Sequence, residues 1–331
     1  MKNLFLLFAL CSTLISSQSC KNNTDTTPTE VTSKASNPSD VIPFMDKFKI
    51  LLGNGETVKD LVNYKNNDFF YTNQEGGSSW VVYKTPNSGI TSKTSSNTRT
   101  ELHELQKWTP ATGANLTGTL KVQHISATSD ARVGAGFSVV VGQIHSGEGH
   151  KNEPLKIFYK KYPGHTKGAV FWNYEINTAG KNSGRWDYST TVWGYDMAYV
   201  GKTTDHYPPE PEDGIALGEE FSYEINIFKG IMHLTFYSEG HPTRTFTKSL
   251  ISSDFATTTQ RPQQVTTLYK GLGRDGVERP EAYAGEWQYF KQGAYNQVNG
   301  KEPEKNFVWN GGAAIYGGCL LYTSPSPRDR G

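Results

Sequence analysis

Tyr289-Phe290-Lys291-Gln292-Gly293-Ala294-Tyr295-Asn296-Gln297 lies near the carboxyl end of a 331-residue chain and sets the period by which the rest is read. As a β-strand it places Tyr289, Lys291, Gly293 and Tyr295 on one face, because side chains alternate with period two. Phe290 and Ala294 then point the other way, into a core. An apolar inner face beneath an aromatic and basic outer one describes the floor of a binding groove. The competing reading is an amphipathic sandwich strand with an ordinary solvated face. Two further stretches bear on the choice.

The same period recurs along the body. Leu120–Ser126, Arg132–Ser146, Leu155–Tyr162, Gly168–Asn177, Phe221–Phe228, Ile231–Tyr237, Thr243–Leu250 and Trp287–Gln297 all read as strands. Lys229-Gly230 is a two-residue hairpin connection. Asp46–Leu52 reads as a short helix. Aromatic residues make up 12% of the chain and no long helical pattern appears, so an all-β sandwich or jelly roll is expected over residues 41–318. Lys and Arg total 33 against 32 Asp and Glu, so nothing in the overall charge calls for nucleic acid. Affinity for an acidic ligand must come from local clusters, for which Arg99, Lys156, Lys160, Lys161 and Lys291 are the candidates.

The ends read differently. Met1-Lys2-Asn3, the apolar run Leu4–Ile15 and the small-residue exit to Cys20 form a secretory signal, too short to span a bilayer. Ser16-Ser17-Gln18-Ser19-Cys20 loosely resembles a bacterial lipobox, with Cys20 as the lipid-bearing residue; the alternative is a plain cleaved signal. A secreted or envelope-anchored bacterial protein is expected, touching membrane only through that lipid. Residues 21–40, rich in Thr, Ser, Asn and Pro, read as a flexible tether. Of three cysteines none leaves a disulfide framework in the body. Residues 319–331 look foreign to the fold and are set aside as a doubtful tail.

Arg99-Thr100-Glu101-Leu102-His103-Glu104-Leu105 is the second informative stretch. In a strand, Arg99, Glu101 and His103 share a face, and an Arg fixed beside a Glu can grip a carboxylate bidentately. The alternative is a surface ion pair of little consequence. The third stretch, Val139-Val140-Val141-Gly142-Gln143-Ile144-His145, ends a hydrophobic strand with Gln143 and His145 facing together.

RTELHEL, QIH and YFKQGAYNQ, in this order, resemble the three hallmark segments of the alginate lyases of polysaccharide lyase family 7. The resemblance covers the body from Val41 onward and implies a β-jelly roll sandwich with a long concave substrate groove. It assigns Arg99, Gln143, His145 and Tyr295 to catalysis, and Glu101, His103, Lys291 and Tyr289 to substrate binding. His103 stands where the family usually has a second arginine, which puts part of the substrate binding at odds with the pattern. Ile144, between Gln143 and His145, tilts the expected substrate towards guluronate or mixed blocks. The family also implies a further outer strand after the YFK segment.

The implied chemistry accounts for these residue types. A 4-linked uronate is cleaved without water by removing the carbon-5 proton and expelling the 4-linked oxygen. Arg99, Gln143 and His145 would neutralise the carboxylate as charge develops on it. Tyr295 would protonate the leaving oxygen, and would also take the proton from mannuronate if nearby cations favour its phenolate; His145 is the base for guluronate. No metal or cofactor is expected, and a monomer suffices. The rivals are a glycoside hydrolase, a non-catalytic acidic-glycan-binding module, and a lyase for another polyuronate such as glucuronan. Against the first, the chain has no Glu-x-Asp-x-x-Glu run to supply the close carboxylate pair of a retaining hydrolase, the groove strands carry Tyr, Lys, Gln and His instead, and Glu281 and Glu286 read as structural or solvated acids. Trp172, Trp186, Trp193 and Tyr195 read as core more than as sugar platforms, and residues 271–276 as a mobile loop over the groove.

Overall fold

A computed structural model gives the structure of the protein. It describes residues 34–86, 90, 97–127, 129, 134–147, 153–177, 185–197, 207–251, 271–272, 278–279, 286–297, 313–317 and 322–323. Fourteen described strands have four or more residues. They begin with β1 Phe48–Leu51, β2 Phe70–Glu75, β3 Ser78–Lys84, β4 Arg99–Glu104 and β5 Ala114–His124. Next come β6 Ser138–Ser146, β7 Leu155–Lys160, β8 Lys167–Asn177 and β9 Arg185–Trp193. The last are β10 Glu220–Phe228, β11 Ile231–Tyr237, β12 Arg244–Ser249, β13 Gln288–Asn296 and β14 Ala313–Gly317.

These strands form two antiparallel sheets. One runs β9-β8-β7-β6-β13-β4-β1, the other β12-β11-β10-β5-β14-β3-β2. Burial alternates along β10 and β11, as half-buried strands require. Their inner faces meet in one core that includes Phe48, Leu102, Ile144, Ile157, Trp172 and Phe290 from the first sheet and Leu116, Tyr223, Ile225 and Leu234 from the second. Lys229 and Gly230 both have positive φ, 49° and 78°, the backbone that a tight two-residue hairpin needs.

Two sequence expectations are corrected. Asp46–Leu52 is not a helix: a 3-10 turn over Met45–Lys47 leads into β1, where Phe48 and Ile50 are buried and Lys49 and Leu51 are not. The strand expected from Arg132 begins at Ser138, because Phe137 has a φ of 55° and turns the chain. Ahead of β1 lies a helical turn at Pro38–Val41, and the Thr72 hydroxyl is bonded to the Ala35 carbonyl. Trp172, Trp193 and Tyr195 are buried, as core residues should be, while the Trp186 side chain lies outside the described residues. Gly271–Leu272 pairs with Glu278–Arg279; the loop expected between them also lies outside the described residues.

Two devices hold β13 in place. At Gly293 the strand bulges, so that Gln292 faces Gly142 but Tyr295 faces Val140. Gly293 has a φ of 148°, and a Cβ there would come within 2.5 Å of the Thr100 carbonyl oxygen, so no other residue fits this junction. On the core side, Glu104 accepts hydrogen bonds from the Phe290 amide at 2.8 Å and from Trp108 Nε1 at 3.3 Å.

Burial raises the Glu104 pKa from 4.5 to about 8, against the pull of those two donors. The unfolded chain releases this proton near pH 4.5 while the folded protein keeps it until about pH 8. Stability from this group is therefore complete below pH 4.5 and is lost as pH rises to 8. In urea denaturation across that window, the wild type should lose roughly 3–5 kcal/mol relative to Glu104→Gln, at about 1.4 kcal/mol per pH unit. Parallel pH profiles for the two proteins would show that the carboxyl is ionised in the fold.

Candidate active site

The outer face of the first sheet carries a row of polar side chains that crosses the strands. Cross-strand register gives Lys49 opposite His103, His103 opposite Lys291, Lys291 opposite Gln143, Gln143 opposite Lys156, and Lys156 opposite Asn173. Strands lie ~4.8 Å apart, so this ladder is a ruler along which a long ligand can lie. Tyr289 opposes His145 one step to one side, and Arg99 opposes Tyr295 on the other. All eight residues singled out from the three motifs thus converge on adjoining strands β4, β13 and β6.

Glu101 is the hub. Arg99 Nη1 lies 3.1 Å from its Oε2 and Lys291 Nζ 3.5 Å from the same oxygen, while Gln143 Nε2 donates to Oε1. The Arg99 and Glu101 side chains are only 8% and 3% exposed, so this is no surface ion pair. Glu101 has direct protein partners and therefore fixes the cations and the amide. Burial lowers the Lys291 pKa, with the neighbouring Arg99 adding to the effect and Glu101 opposing it.

The Arg99 guanidinium also lies over the Tyr295 ring, its Cζ 3.5 Å from the centroid. On the other side Tyr289 stacks between two imidazoles. His103 is 4.0 Å away and nearly parallel, and His145 is 5.2 Å away. Burial, followed by the charges of Lys49 and Lys291, drives the His103 pKa to about 2. His103 therefore presents a neutral aromatic plate to the site.

His145 is neutral too: burial first, then Lys291, lowers its pKa to about 4, with Glu153 pulling the other way. Its Nδ1 lies 2.9 Å from the Ser146 carbonyl oxygen, which can only accept, so Nδ1 carries the proton and Nε2 the lone pair. Nε2 in turn lies 3.5 Å from Glu153 Oε1.

Lys49, Leu51, Thr57, Arg99, Glu101, His103 and Lys291 enclose a cavity of about 180 Å³ on the β1 side of the reactive groups. With three basic side chains around it, the cavity is suited to a carboxylate. Sequence reasoning passed over Lys49, hidden in the misread helix, although the alternation Phe48-Lys49-Ile50-Leu51 was there to be read. It passed over Glu153 as well. Lys156 joins the row, paired with Glu153 at 2.7 Å and Glu175 at 3.1 Å. The other two candidate cations do not belong to this cluster. Lys160 is enclosed, with its Nζ 4.4 Å from the Tyr162 ring centroid and its pKa lowered by burial to about 7, and Lys161 bonds the carbonyls of Tyr162 and His165. Among the described residues no group of His, Cys, Asp and Glu is placed to hold a metal.

Two packed antiparallel sheets, bearing on one open face cations, an amide, a neutral imidazole and a phenol around a buried carboxylate, define a polysaccharide lyase for acidic sugars. Residues 43–318 match the family model described as alginate lyase. An alginate lyase of Klebsiella pneumoniae is 29% identical over 284 residues, 76% of this chain and 80% of that protein. The crystal structure of an exolytic alginate lyase of polysaccharide lyase family 7 from Zobellia galactanivorans is 61% identical, with a TM-score of 0.77, covering 88% of this chain and 99% of that one. The solved Klebsiella pneumoniae alginate lyase, 24% identical over 87% of this chain and 98% of its own, superposes with a TM-score of 0.63 and shares the fold. The chain belongs to the alginate lyase family and has its β-jelly roll.

Proposed function

We propose that this alginate lyase acts exolytically, releasing short unsaturated uronates from chain ends, with guluronate or mixed blocks favoured. The observation that carries the chemical assignment is the Glu101 hub, which holds Arg99, Lys291 and Gln143 at one carboxylate. Those three donors receive the substrate carboxylate and stabilise the charge that develops on it as carbon 5 loses its proton. His145 Nε2 takes that proton from guluronate. Tyr295 donates its phenolic proton to the departing 4-linked oxygen, and carbons 4 and 5 are left doubly bonded. On mannuronate, Tyr295 serves as both base and acid. Lys49 and His103 bind the neighbouring sugar in the cavity, and Tyr289, stacked between the two imidazoles, holds His103 and His145 in place.

Exolysis is supported by the 61% identical relative described as exolytic. Secretion under the 1–20 signal, anchoring through a lipid on Cys20, and action as a monomer belong to the same proposal. Mass spectrometry of the mature protein from its native envelope tests the lipid.

Ultraviolet absorbance at the unsaturated-uronate band, with polymannuronate, polyguluronate and glucuronan offered separately, tests the function. Growth of the band on polyguluronate, accompanied by early release of monomers and dimers at nearly constant viscosity, is the expected result. A rapid viscosity drop removes exolysis, and faster growth on polymannuronate reverses the block preference. With His145 as the base, the acid limb of kcat/KM on polyguluronate should have its midpoint near pH 4, not at the ordinary 6.5, because the imidazole must be neutral to accept a proton. A pH–rate profile with its acid limb near 6.5 would move the base elsewhere.

A further inference from the structure

The groove floor does not change character at the reactive groups, but its charge does. On the β1 side stand Lys49, Arg99 and Lys291 around the cavity. On the β7 side the first charged group that His145 meets is the Glu153 carboxylate, 3.5 Å from Nε2. Glu153 is held there from behind. Its Oε2 lies 2.7 Å from Lys156 Nζ, Lys156 is anchored 3.1 Å from Glu175 Oε2, and the Glu153 amide donates to Glu175 Oε1 at 3.4 Å. The Glu153 side chain is 15% exposed, so a carboxylate is fixed where a ligand on this face would meet it. Its charge reaches the far side of the site as well, acting on Arg99, Lys291 and Tyr289.

Beyond Glu153 the polar row goes on. Asn173 opposes Lys156, and Ser189 opposes Asn173 and donates to its Oδ1 at 2.8 Å. A neutral sugar could rest on that floor. A uronate there would bring its own carboxylate against Glu153, and two fixed like charges a few ångströms apart repel strongly where water is scarce.

We infer that Glu153 is a specificity-determining residue that ends the run of uronate-binding positions on the β7 side of the reactive groups, so that only a terminal unit sits there while the polymer leaves over the cationic cavity. This deepens the exolytic reading and rests on it.

The test compares the full-length wild type with Glu153→Gln, Glu153→Ala and Glu153→Asp on polymeric alginate. Early products are sized by chromatography, with viscosity followed alongside absorbance and thermal melting checked for each protein. Wild type and Glu153→Asp should release monomers and dimers. Glu153→Gln and Glu153→Ala, both folded, should raise the early share of trimers and longer products at least several-fold and lower viscosity sooner per bond cut. A change in rate alone, with product sizes as in wild type, would overturn the role of Glu153 while leaving exolysis intact. Longer products from Glu153→Ala but not from Glu153→Gln would show that bulk, not charge, closes the site, and would overturn it too. If the wild type itself yields long fragments from the start, the exolytic reading fails and the role of Glu153 falls with it.

Discussion

Tyr295→Phe should lower kcat on every alginate block by about 10²–10⁴-fold, the usual contribution of a positioned proton donor, while KM changes little. The change deletes one oxygen and leaves the ring in place. The ring is what the Arg99 guanidinium covers and what packs beside the apolar patch of Val140, Phe158 and Phe171, so neither the strand nor the cation should shift. What disappears is the proton that must reach the departing oxygen. Initial rates by absorbance, set beside calorimetric binding of an oligouronate, separate the two effects. Binding unchanged with catalysis lost is the expected pattern; a variant that keeps more than about a tenth of the wild-type kcat would mean that another group supplies the proton.

Glu101→Gln is expected to damage both stability and catalysis. In the wild type one buried carboxylate faces a guanidinium, an ammonium and an amide N–H. Removing its charge leaves two almost fully buried cations without the anion they share, and breaking a buried pair from one side costs about 3–5 kcal/mol. For a domain of this size the melting temperature should fall on the order of 10 °C. Arg99 and Lys291 would also spread apart, and misplacement of catalytic groups by about 1 Å can cost ~10²-fold in rate. The comparison that matters is with Tyr295→Phe, which should melt like the wild type. If Glu101→Gln melts like the wild type as well, the carboxylate is not what holds the cations.

Much of this site was legible in the sequence because strands alternate. Period two alone brings Arg99, Glu101 and His103 to one face, Gln143 and His145 to another, and Tyr289, Lys291 and Tyr295 to a third. Their meeting on adjoining strands was legible only through the resemblance of the three motifs to a known family, since strand order is not encoded in any local pattern. The Phe48–Leu51 strand was misread because Phe48, Leu51 and Leu52 also satisfy a helical period, and only pairing with β4 settles the matter. Glu153 gave no signal at all: an acid outside any regular element gains its meaning from Lys156 and Glu175, which the fold brings to it. The neutrality of His103 was equally hidden, because burial and the surrounding cations set it, not the residue type.

Residues 313–317 lie inside the second sheet, between segments 78–84 and 114–124, and residues 288–296 lie likewise between segments 99–104 and 138–146 of the first. Each of these two segments follows, in the sequence, both of the strands it joins. Until it is in place, the two halves of its sheet have nothing to join them. Contacts of such long sequence separation make for slow folding, and until they form, four strand edges stand open to other chains. Proteins built this way depend on being kept apart while they wait, and the yield of active enzyme should follow chaperone supply more closely than the strength of any single contact in the finished molecule.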